Sequence, residues 1–397
     1  MTKPLKDIRV LDLTNVLAGP FCCHQLAHLG AEVIKVEAVG RGDLARQLGA
    51  DPQLNADGMG VSFLAQNAGK KSVTVNLKHP EGKALFLRLL ATADVLVENF
   101  RPGVMNRLGL GYDALRPVAP HLIYCAISGF GQEGPWVHRP AYDQIIQGAA
   151  GVMSVTGTQS GDPLRVGFPV ADTVGGMTAA FAISAALNAN PRGTFIDVSM
   201  LESVLATMGW AVSNHLIAGV EPAAQGNENP TSAPSGAFMA GDGLINIAAN
   251  KDEQWVLLCD HLGRADLRDR PEYATREDRK QNRLALKAEL ETILATRPAR
   301  TWAKELNQIG VPAGAVLSVP EVLTTPQVAD RGFLKDYPDV PGVGRDIQVA
   351  TTGIKLDGDA PTVNAPPPEL GQDNTEIWGS LGLSLDDLTA LKQDGVI

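Results

Sequence analysis

The stretch "IRVLDLTNVLAGPFCCHQLAHLGAEVIKVE", residues 8–37, contains the pattern that decides the fold. Residues 8–14 are apolar residues bounded by polar ones, as in a buried strand, and residues 31–37 repeat that pattern. Between them, residues 19–30 predict a helix that begins at Gly19-Pro20, where proline suits the first turn. A strand, a helix and a strand in this order indicate the βαβ unit of a parallel sheet.

The alternation of strands and helices continues through the first half of the chain. The sequence predicts further strands at 71–77, 94–100 and 121–131, a helix at 79–93, and a strand that passes into a helix at 193–211. This order is typical of an α/β fold that is built on a parallel sheet.

The length of 397 residues predicts more than one domain, because one ordinary core does not grow to that size. Residues 219–236 are rich in Gly, Pro, Asn and Ser and are predicted to be a linker. The sequence therefore predicts three parts around this linker: a large α/β domain in 1–218, a smaller α+β domain in 237–325, and a proline-rich segment in 326–397.

Composition and charge exclude several classes of function. The net charge of −10 argues against a general nucleic-acid binder, and no apolar run approaches the ~20 residues of a membrane span. The N-terminus lacks the features of a signal peptide, so a cytoplasmic location is expected. The four cysteines form no CxxC pair, and His24 and His28, although four residues apart, have no third ligand nearby. We therefore predict reduced buried thiols, packing or surface roles for the two histidines, and no metal site.

Two basic stretches lie next to predicted strands, where an anion could bind: residues 67–72 and the turn after the strand at 94–100. The sequence has no GxGxxG after its first strand and no GxxxxGK[ST], which argues against dinucleotide and P-loop sites. Residues 67–72, "NAGKKS", are either a loop at a sheet edge or a cationic mouth for a phosphate. Asn99, Phe100 and Arg101 lie in a turn after a strand and Arg107 follows, which suits either a nucleotide-like anion or a solvated loop.

Asp172 follows the apolar "VGFPVA" at the expected start of a helix and precedes Gly175-Gly176. One interpretation is an N-cap, which would stabilise the helix by ~1 kcal/mol. The other is a nucleophile, because a carboxylate can attack a thioester, whose thiolate leaves well. Glycines weaken a helix, so either a neighbouring element packs closely there or a ligand must reach the carboxylate. A glycine-rich turn could also supply N–H groups to an oxyanion.

Seven stretches between residues 11 and 208 together resemble one family. They are "LDLTNVLAGPFCCHQLAHLGAEVIKVE", "NAGKKSVTVNLKHPEG", "DVLVENFRPGVMNRLGL", "AISGFGQEGP", "PAYDQIIQGAAGVMSVTG", "VGFPVADTVGGM" and "FIDVSMLESVLATM". In this order they resemble the class III CoA-transferases, the family that includes formyl-CoA transferase and carnitine CoA-transferase.

The resemblance implies a fold and a reaction. It implies a Rossmann-like large domain that residues 326–397 return to complete, a smaller α+β domain, and an interlocked homodimer. It also implies transfer of CoA from an acyl-CoA thioester to a free carboxylic acid, through aspartyl-anhydride and aspartyl-CoA intermediates on Asp172. Coenzyme A is then a substrate, and no permanently bound cofactor is expected.

The resemblance also implies the binding residues. Those implied to bind CoA are Val75, Asn76, Leu77, Lys78, Asn99, Phe100, Arg101, Arg107, Ala141, Tyr142 and Asp143. Those expected in the substrate pocket are Leu17, Ala18, Gly175, Gly176, Ser235 and Lys251. We expect the two glycines to leave room for the thioester and the CoA sulfur. We also expect the helix dipole and local N–H groups to lower the pKa of Asp172.

Two positions depart from the formyl-CoA transferase pattern, which has glutamine where this chain has Leu17 and arginine where it has Ala38. Leu17 predicts a larger or less polar acyl group and argues against oxalate and formate. Arg41 or Arg46 could replace the CoA contact that Ala38 cannot make. In the small domain, Asn229, Ser232, Ser235 or Lys251 could contact a second carboxylate. This makes a dicarboxylic acid such as succinate or a C5 relative a hypothesis; the alternative is that these residues merely line a loop.

Two other functions stay open at this point. The family includes α-methylacyl-CoA racemases, which use a histidine paired with the aspartate, but here Tyr142 occupies the place of that histidine. A non-catalytic acyl-CoA-binding protein is the second alternative, although the retained Asp172 and its glycines argue against it. Covalent trapping of Asp172 after mixing with acyl-CoA would distinguish a transferase from both.

Overall fold

The strands form one large sheet and two small ones in the computed structural model, which describes residues 2–397. The strands are β1 (Arg9–Asp12), β2 (Glu32–Glu37), β3 (Lys71–Thr74), β4 (Val95–Glu98), β5 (Ile123–Ser128), β6 (Thr194–Ser199), β7 (Ser235–Ala240), β8 (Gly243–Ala248), β9 (Ala313–Ala315), β10 (Leu334–Tyr337) and β11 (Ile347–Ala350).

Helices connect most of these strands. They are α1 (Ala18–His28), α2 (Pro52–Ala56), α3 (Val61–Asn67), α4 (Pro80–Leu90), α5 (Val104–Leu108), α6 (Tyr112–Leu115), α7 (Asp143–Ala149), α8 (Val152–Val155), α9 (Val170–Ala186), α10 (Met200–Thr207), α11 (Trp210–Ala218), α12 (Asp252–His261), α13 (Asp266–Asp269), α14 (Arg276–Gln281), α15 (Arg283–Leu294), α16 (Ala299–Gln308), α17 (Val319–Leu323), α18 (Pro326–Asp330), α19 (Asn374–Ser380) and α20 (Leu385–Gln393). Two 3-10 turns lie at Leu44–Gln47 and Pro271–Tyr273.

The main sheet has the strand order β3-β2-β1-β4-β5-β6, and every pairing in it is parallel. This is the order of Rossmann folds, in which the direction of winding reverses between β1 and β4. Ligands bind in such sheets outside the carboxyl ends of the strands near that reversal. The prediction of an α/β fold with a Rossmann-like parallel sheet is confirmed.

The two faces of the sheet bury different sets of side chains, because successive residues of a strand point to opposite faces. Val10, Val33 and Val97 pack on one face with α1 and α9. Leu11, Ile34 and Leu96 pack on the other face with α4, α19 and α20. Both faces are covered, which explains why these strands are apolar throughout.

The chain divides into two compact units. The first contains the chain up to Met153 together with residues 165–220 and 326–397, and the second contains residues 154–164 and 221–325. In the second unit, the antiparallel sheet β7-β8-β9 packs with Trp255, Leu258, Leu290 and Trp302 from its helices. The sequence analysis did not assign residues 154–164 to this unit, and its domain boundaries stay predictions.

Candidate active site

A cavity of about 680 Å³ opens at the carboxyl ends of β1, β2, β3 and β4. Its lining residues are Leu13, Thr14, Asn15, Val36, Glu37, Ala38, Val39, Arg41, Gly42, Leu44, Gln47, Val75, Asn76, Leu77, Lys78, Phe100, Val104 and Leu108. The lining combines apolar side chains, the Phe100 ring and the cations Arg41 and Lys78, a combination that suits an aromatic base with phosphates. The structure thus brings Val75–Lys78 and Phe100 together, as the sequence analysis expected.

The other residues predicted near this edge have different surroundings. The side chain of Asn99 accepts the Asn15 N–H at 2.8 Å and donates to the Asn15 carbonyl at 2.8 Å, so it joins the turns after β1 and β4. Arg101 and Arg107 are exposed and are absent from the cavity lining among the described residues. Their predicted contact with CoA stays a prediction.

Arg46 cannot replace a CoA contact, which corrects one of the two expectations for the loop after β2. Its guanidinium is buried and pairs with the Glu37 carboxylate at 2.8 Å, donates to the Pro368 carbonyl, and lies over the Phe63 ring at 3.7 Å. Arg41 is the arginine of this loop that lines the cavity.

A buried ionic network lies beside this cavity and includes Lys70. Asp12 pairs with Lys70 at 2.8 Å and lies 3.8 Å from Lys35, which in turn pairs with Asp43 at 2.9 Å. Lys70 also donates to the Pro20 carbonyl at 2.9 Å. Its ammonium is buried and donates to two acceptors inside the protein, so the hypothesis of a phosphate mouth at residues 67–72 is wrong for this lysine.

The same network shapes the loop between β1 and α1. Val16 has a φ of 67°, which is strained for a β-branched residue. Asp43 Oδ1 accepts the Val16 N–H at 2.8 Å and the Ala45 N–H at 2.9 Å, which holds the loop in this conformation. Leu17 and Ala18, both expected in the substrate pocket, follow directly at the start of α1.

Asp172 lies at the third position of α9, where it does not act as the N-cap. Pro169 occupies the cap position, and Asp143, the first residue of α7, accepts the backbone N–H groups of Ala171 at 2.8 Å and Asp172 at 3.4 Å. The cap interpretation of Asp172 is therefore wrong, because a carboxylate from another helix performs that function.

The pKa of Asp172 is raised to about 7, first by burial and second by the negative charge of Asp143. No cation among residues 2–397 forms an ion pair with its carboxylate. The expectation of a lowered pKa is wrong, because Asp143 takes the helix N–H groups that were expected to stabilise the Asp172 anion.

Gly175 and Gly176 are buried where α9 packs against its neighbours. A Cβ on Gly176 would overlap the Ala18 carbonyl of α1, and one on Gly175 would lie 2.9 Å from the Met200 side chain of α10. These glycines permit close helix packing, and the expectation that they leave room for a ligand is wrong.

A second cavity, of about 370 Å³, contains Asp172 in its lining. The lining residues are Tyr142, Asp143, Gln144, Arg165, Gly167, Phe168, Pro169 and Asp172. Ala141 packs instead beside Gly129 and Ile146. The sequence analysis missed Arg165, although it is the one basic residue in the segment from Ser160 to Asp172.

The comparisons with known proteins identify the family of the chain. The model of CoA-transferase family III matches residues 5–374. The chain belongs to CoA-transferase family III. The acetyl-CoA:oxalate CoA-transferase of Acetobacter aceti is 42% identical over 83% of this chain and 85% of that protein. The succinyl-CoA:glutarate CoA-transferase of Mus musculus is 38% identical over 94% of this chain and 86% of that protein.

A solved structure supports the same assignment. A CAIB/BAIF family protein from Brucella suis superposes with a TM-score of 0.83 at 33% identity, and the alignment covers 96% of this chain and all of that one. The family III assignment confirms the predicted family and the predicted class of enzyme, a CoA-transferase.

The remaining predicted pocket residues of this family III enzyme lie in the second unit. Ser235 lines a cavity of about 620 Å³ in that unit, and its hydroxyl accepts from Asn229 Nδ2 at 3.3 Å. Ser232 is buried, and Lys251 is exposed at the start of α12. Their predicted contacts with substrate stay predictions.

The histidines and cysteines of the family III chain show no ligand set for a metal. His24 and His28 are buried, and their Nε2 atoms lie 3.0 Å apart, while Nδ1 of His28 bonds to the Pro361 carbonyl at 3.1 Å. Residues 2–397 contain no cluster of three or more metal-ligating side chains. The four cysteines are free and buried.

Across residues 2–397, no helix is both long enough and apolar enough to span a membrane.

Proposed function

We propose that Asp172 is the nucleophile that moves CoA from an acyl-CoA thioester to a free carboxylic acid. The observation that carries this proposal is a largely buried carboxylate that lines a cavity and has no cationic partner among the described residues. A carboxylate that is poorly solvated and has a pKa near 7 is more basic than an ordinary aspartate, yet it is still largely ionised at a slightly alkaline pH.

The proposed reaction is a sequence of acyl exchanges in which no water is consumed. An Asp172 oxygen attacks the thioester carbonyl of the donor, the C–S bond breaks, and an acyl-aspartyl anhydride forms with free CoA thiolate. The thiolate attacks the aspartyl carbonyl of the anhydride, which releases the donor acid and leaves an aspartyl-CoA thioester.

The acceptor acid then reverses these two steps. Its carboxylate attacks the aspartyl thioester, CoA thiolate leaves again, and a new anhydride joins Asp172 to the acceptor. The thiolate attacks the acceptor carbonyl of this anhydride, which forms the new acyl-CoA and restores the Asp172 carboxylate. CoA thiolate leaves in the first and third steps, and a carboxylate leaves from the anhydride in the second and fourth, so each step has a good leaving group and needs no metal or redox cofactor.

The CoA nucleotide is proposed to bind in the cavity at the carboxyl ends of β1–β4. Val75–Lys78 and Phe100 line that cavity, so an adenine could stack on the ring while phosphates contact Lys78 and Arg41. The exposed Arg101 and Arg107 follow the same strand end and would add positive charge for the phosphates.

A dicarboxylic acid is the proposed acceptor class. The relatives that are named for oxalate and for glutarate both act on dicarboxylates. In this chain Arg165 lines the Asp172 cavity without an ion-pair partner among the described residues, so its guanidinium is available to a second carboxylate. The departure at Leu17 still argues for an acid larger than oxalate.

We also propose a homodimer, because α11 of the first unit has no buried residue and exposes large apolar side chains. In α11, Trp210 is 71% exposed, Leu216 is 75% exposed and Ile217 is 86% exposed. Met177 and Phe181, one turn apart on α9, are exposed as well. Light scattering after size exclusion should report a dimer, and Ile217→Asp should weaken it; a monomer at micromolar concentration would contradict this proposal.

The reaction is tested by trapping the acylated enzyme. The protein is mixed with succinyl-CoA without an acceptor and treated with hydroxylamine, and peptide mass spectrometry should find a hydroxamate at Asp172. The control is Asp162→Asn, a substitution in an exposed loop, which should trap equally well. Turnover with succinate, glutarate, oxalate and butyrate as acceptors tests the proposed substrate class separately.

The other two functions give different results in the same experiment. A racemase would exchange the α-proton of a 2-methylacyl-CoA with deuterated solvent and would form no adduct. A binding protein would do neither. No histidine lines the Asp172 cavity among the described residues, and Tyr142 is 63% exposed, so no observation favours the racemase.

A further inference from the structure

The start of α9 has no cap from its own sequence, yet its first N–H groups all have acceptors. Val170 donates to the Phe168 carbonyl at 2.8 Å, and Thr173 donates to the Pro169 carbonyl at 3.0 Å. The N–H groups between them, of Ala171 and Asp172, both point to one oxygen of Asp143. The donors that a helix start normally leaves free are therefore taken.

The second oxygen of Asp143 is held by its own helix. Gln147 lies one turn further along α7, is completely buried, and donates from Nε2 to Asp143 Oδ2 at 2.7 Å. The amide oxygen of Gln147 accepts the Val166 N–H at 2.8 Å. Asp143 and Gln147 thus form a clamp that attaches both ends of the segment 166–172 to α7.

From these contacts we infer that Asp143 is a positioning residue of the transfer reaction. Its carboxylate occupies the free N–H groups of α9, so that none of them solvates the Asp172 carboxylate, and it places a negative charge beside that carboxylate in the same cavity. This inference rests on the proposed role of Asp172 as nucleophile. It gives Asp143 a different role from the CoA contact that the sequence predicted. A carboxylate at this helix start would otherwise accept those N–H groups and become a weaker nucleophile.

The charges around Asp172 agree with this role. Asp143 faces it from α7, and Arg165 lines the same cavity from the preceding segment. The other titratable side chains on the elements that pack against α9 are Cys22, Cys23, His24 and His28 on α1, Tyr124 and Cys125 on β5, Asp197 on β6 and Glu202 on α10. Of all these groups, Asp143 is the one whose charge raises the pKa of Asp172.

Two variants separate the charge of Asp143 from the packing of the clamp. Asp143→Asn keeps an acceptor oxygen but removes the charge, and Gln147→Met loosens the clamp without changing any charge. The measurement is kcat/KM against pH for succinyl-CoA and glutarate, because the rate should fall at low pH as Asp172 becomes protonated.

In Asp143→Asn we expect the acidic limb of that profile to move down by about one pH unit, because a neighbouring negative charge is lost. In Gln147→Met we expect the limb to stay in place while kcat falls about tenfold, because the carboxylate is held less well. Asp143→Glu keeps the charge and changes the reach, so it should lower kcat without moving the limb. It replaces Asp143→Asn as the informative variant if the latter does not fold.

The inference is overturned if the folded Asp143→Asn enzyme keeps the wild-type limb, or if Gln147→Met moves the limb equally. If Asp143→Asn does not fold, the inference is overturned when the acidic limb of the profile moves in Asp143→Glu. Failure of the proposed function looks different: Asp172→Asn would then remain active, and hydroxylamine would trap no adduct on Asp172 in the wild-type protein.

Discussion

Two aspartates of the first unit have pKa values that are shifted in opposite directions, although Asp12 is buried and Asp172 is largely buried. Asp12, at the end of β1, has a pKa well below its usual range, because the attraction of Lys35 and Lys70 exceeds the cost of burial. Asp172, near the start of α9, has a pKa raised to about 7, because burial acts together with the charge of Asp143. The residue type is the same, so the partners decide the chemistry.

The Asp12 network is balanced in charge. Its acids are Asp12, Glu37 and Asp43, and its bases are Lys35, Arg46 and Lys70. Such a set is satisfied internally and holds the strand ends and the loop of Val16 in place. The Asp172 cavity instead has two acids and one arginine without an ion-pair partner among residues 2–397. The imbalance supports the proposed reactivity of Asp172, whereas the balance of the other set indicates a structural role for Asp12.

The largest effect should come from removing the reactive carboxylate. Asp172→Asn should lower kcat by roughly 10⁴-fold or more, because the nucleophile is lost while the fold is kept. Steady-state transfer from succinyl-CoA to glutarate measures the rate, and circular dichroism checks the fold. Full activity in a sample free of deamidated protein would contradict the proposed role of Asp172 as the nucleophile.

Removing a charge from the Asp12 network should lower the free energy of unfolding. Lys70→Met should lower the free energy of unfolding by about 3–5 kcal/mol, because it leaves Asp12 buried beside one more distant lysine. Lys71→Met is the matched control: the neighbouring side chain pairs with Glu32 and Glu376 at the surface, so its loss should be within about 1 kcal/mol. Urea unfolding measures both, and equal losses would show that burial does not distinguish the two lysines.

The alternation of apolar and helical segments was enough to predict the βαβ units, but the sheet order depends on pairings between strands far apart in the sequence. The predicted strand at 71–77 ends at Thr74, because the following residues turn away to line the cavity at the carboxyl ends of β1–β4. Lys70 and Lys71 look alike in the sequence, although Lys70 is buried and Lys71 is only half-buried.

The site was likewise predictable from the sequence only in part. The position of Asp172 was predictable from the motif around it, but its environment was not. Asp143 lies 29 residues earlier and reaches the start of α9 only after the chain folds. For the same reason the sequence could not show that Gly176 meets α1, since the two helices are joined by long-range packing.

The opposite pKa shifts of Asp12 and Asp172 also predict opposite pH dependences of the free energy of unfolding. The raised pKa of Asp172 means that the folded protein holds a proton between pH 3.8 and about 7 that the unfolded chain releases. Its ionisation therefore costs stability as the pH rises through this window, and Asp172→Asn should gain on the order of 4 kcal/mol over wild type at pH 8. At pH 4 the two proteins should unfold at similar urea concentrations, which serves as the internal control.

For Asp12 the sign is reversed. Its lowered pKa contributes stability that is present above the unfolded value of 3.8 and is lost as the pH falls through the folded value. A gain for Asp172→Asn that was the same at pH 4 and at pH 8 would mean that ionisation is not the cause, and the contrast between the two aspartates would then lose its physical basis.

The smallest effect concerns the packing that fixes α9, on which the isolation of Asp172 depends. Gly176→Ala should destabilise the protein by about 1–3 kcal/mol, because its Cβ would overlap a backbone carbonyl that cannot move freely. Gly175→Ala is the matched control one residue away. Its Cβ would meet only the flexible Met200 side chain, and alanine gains up to about 1 kcal/mol in helix propensity, so the two terms should nearly cancel. Thermal unfolding compares the two. If Gly175→Ala is the more damaging change, then the contact with α10, rather than the contact with α1, fixes the helix that carries Asp172.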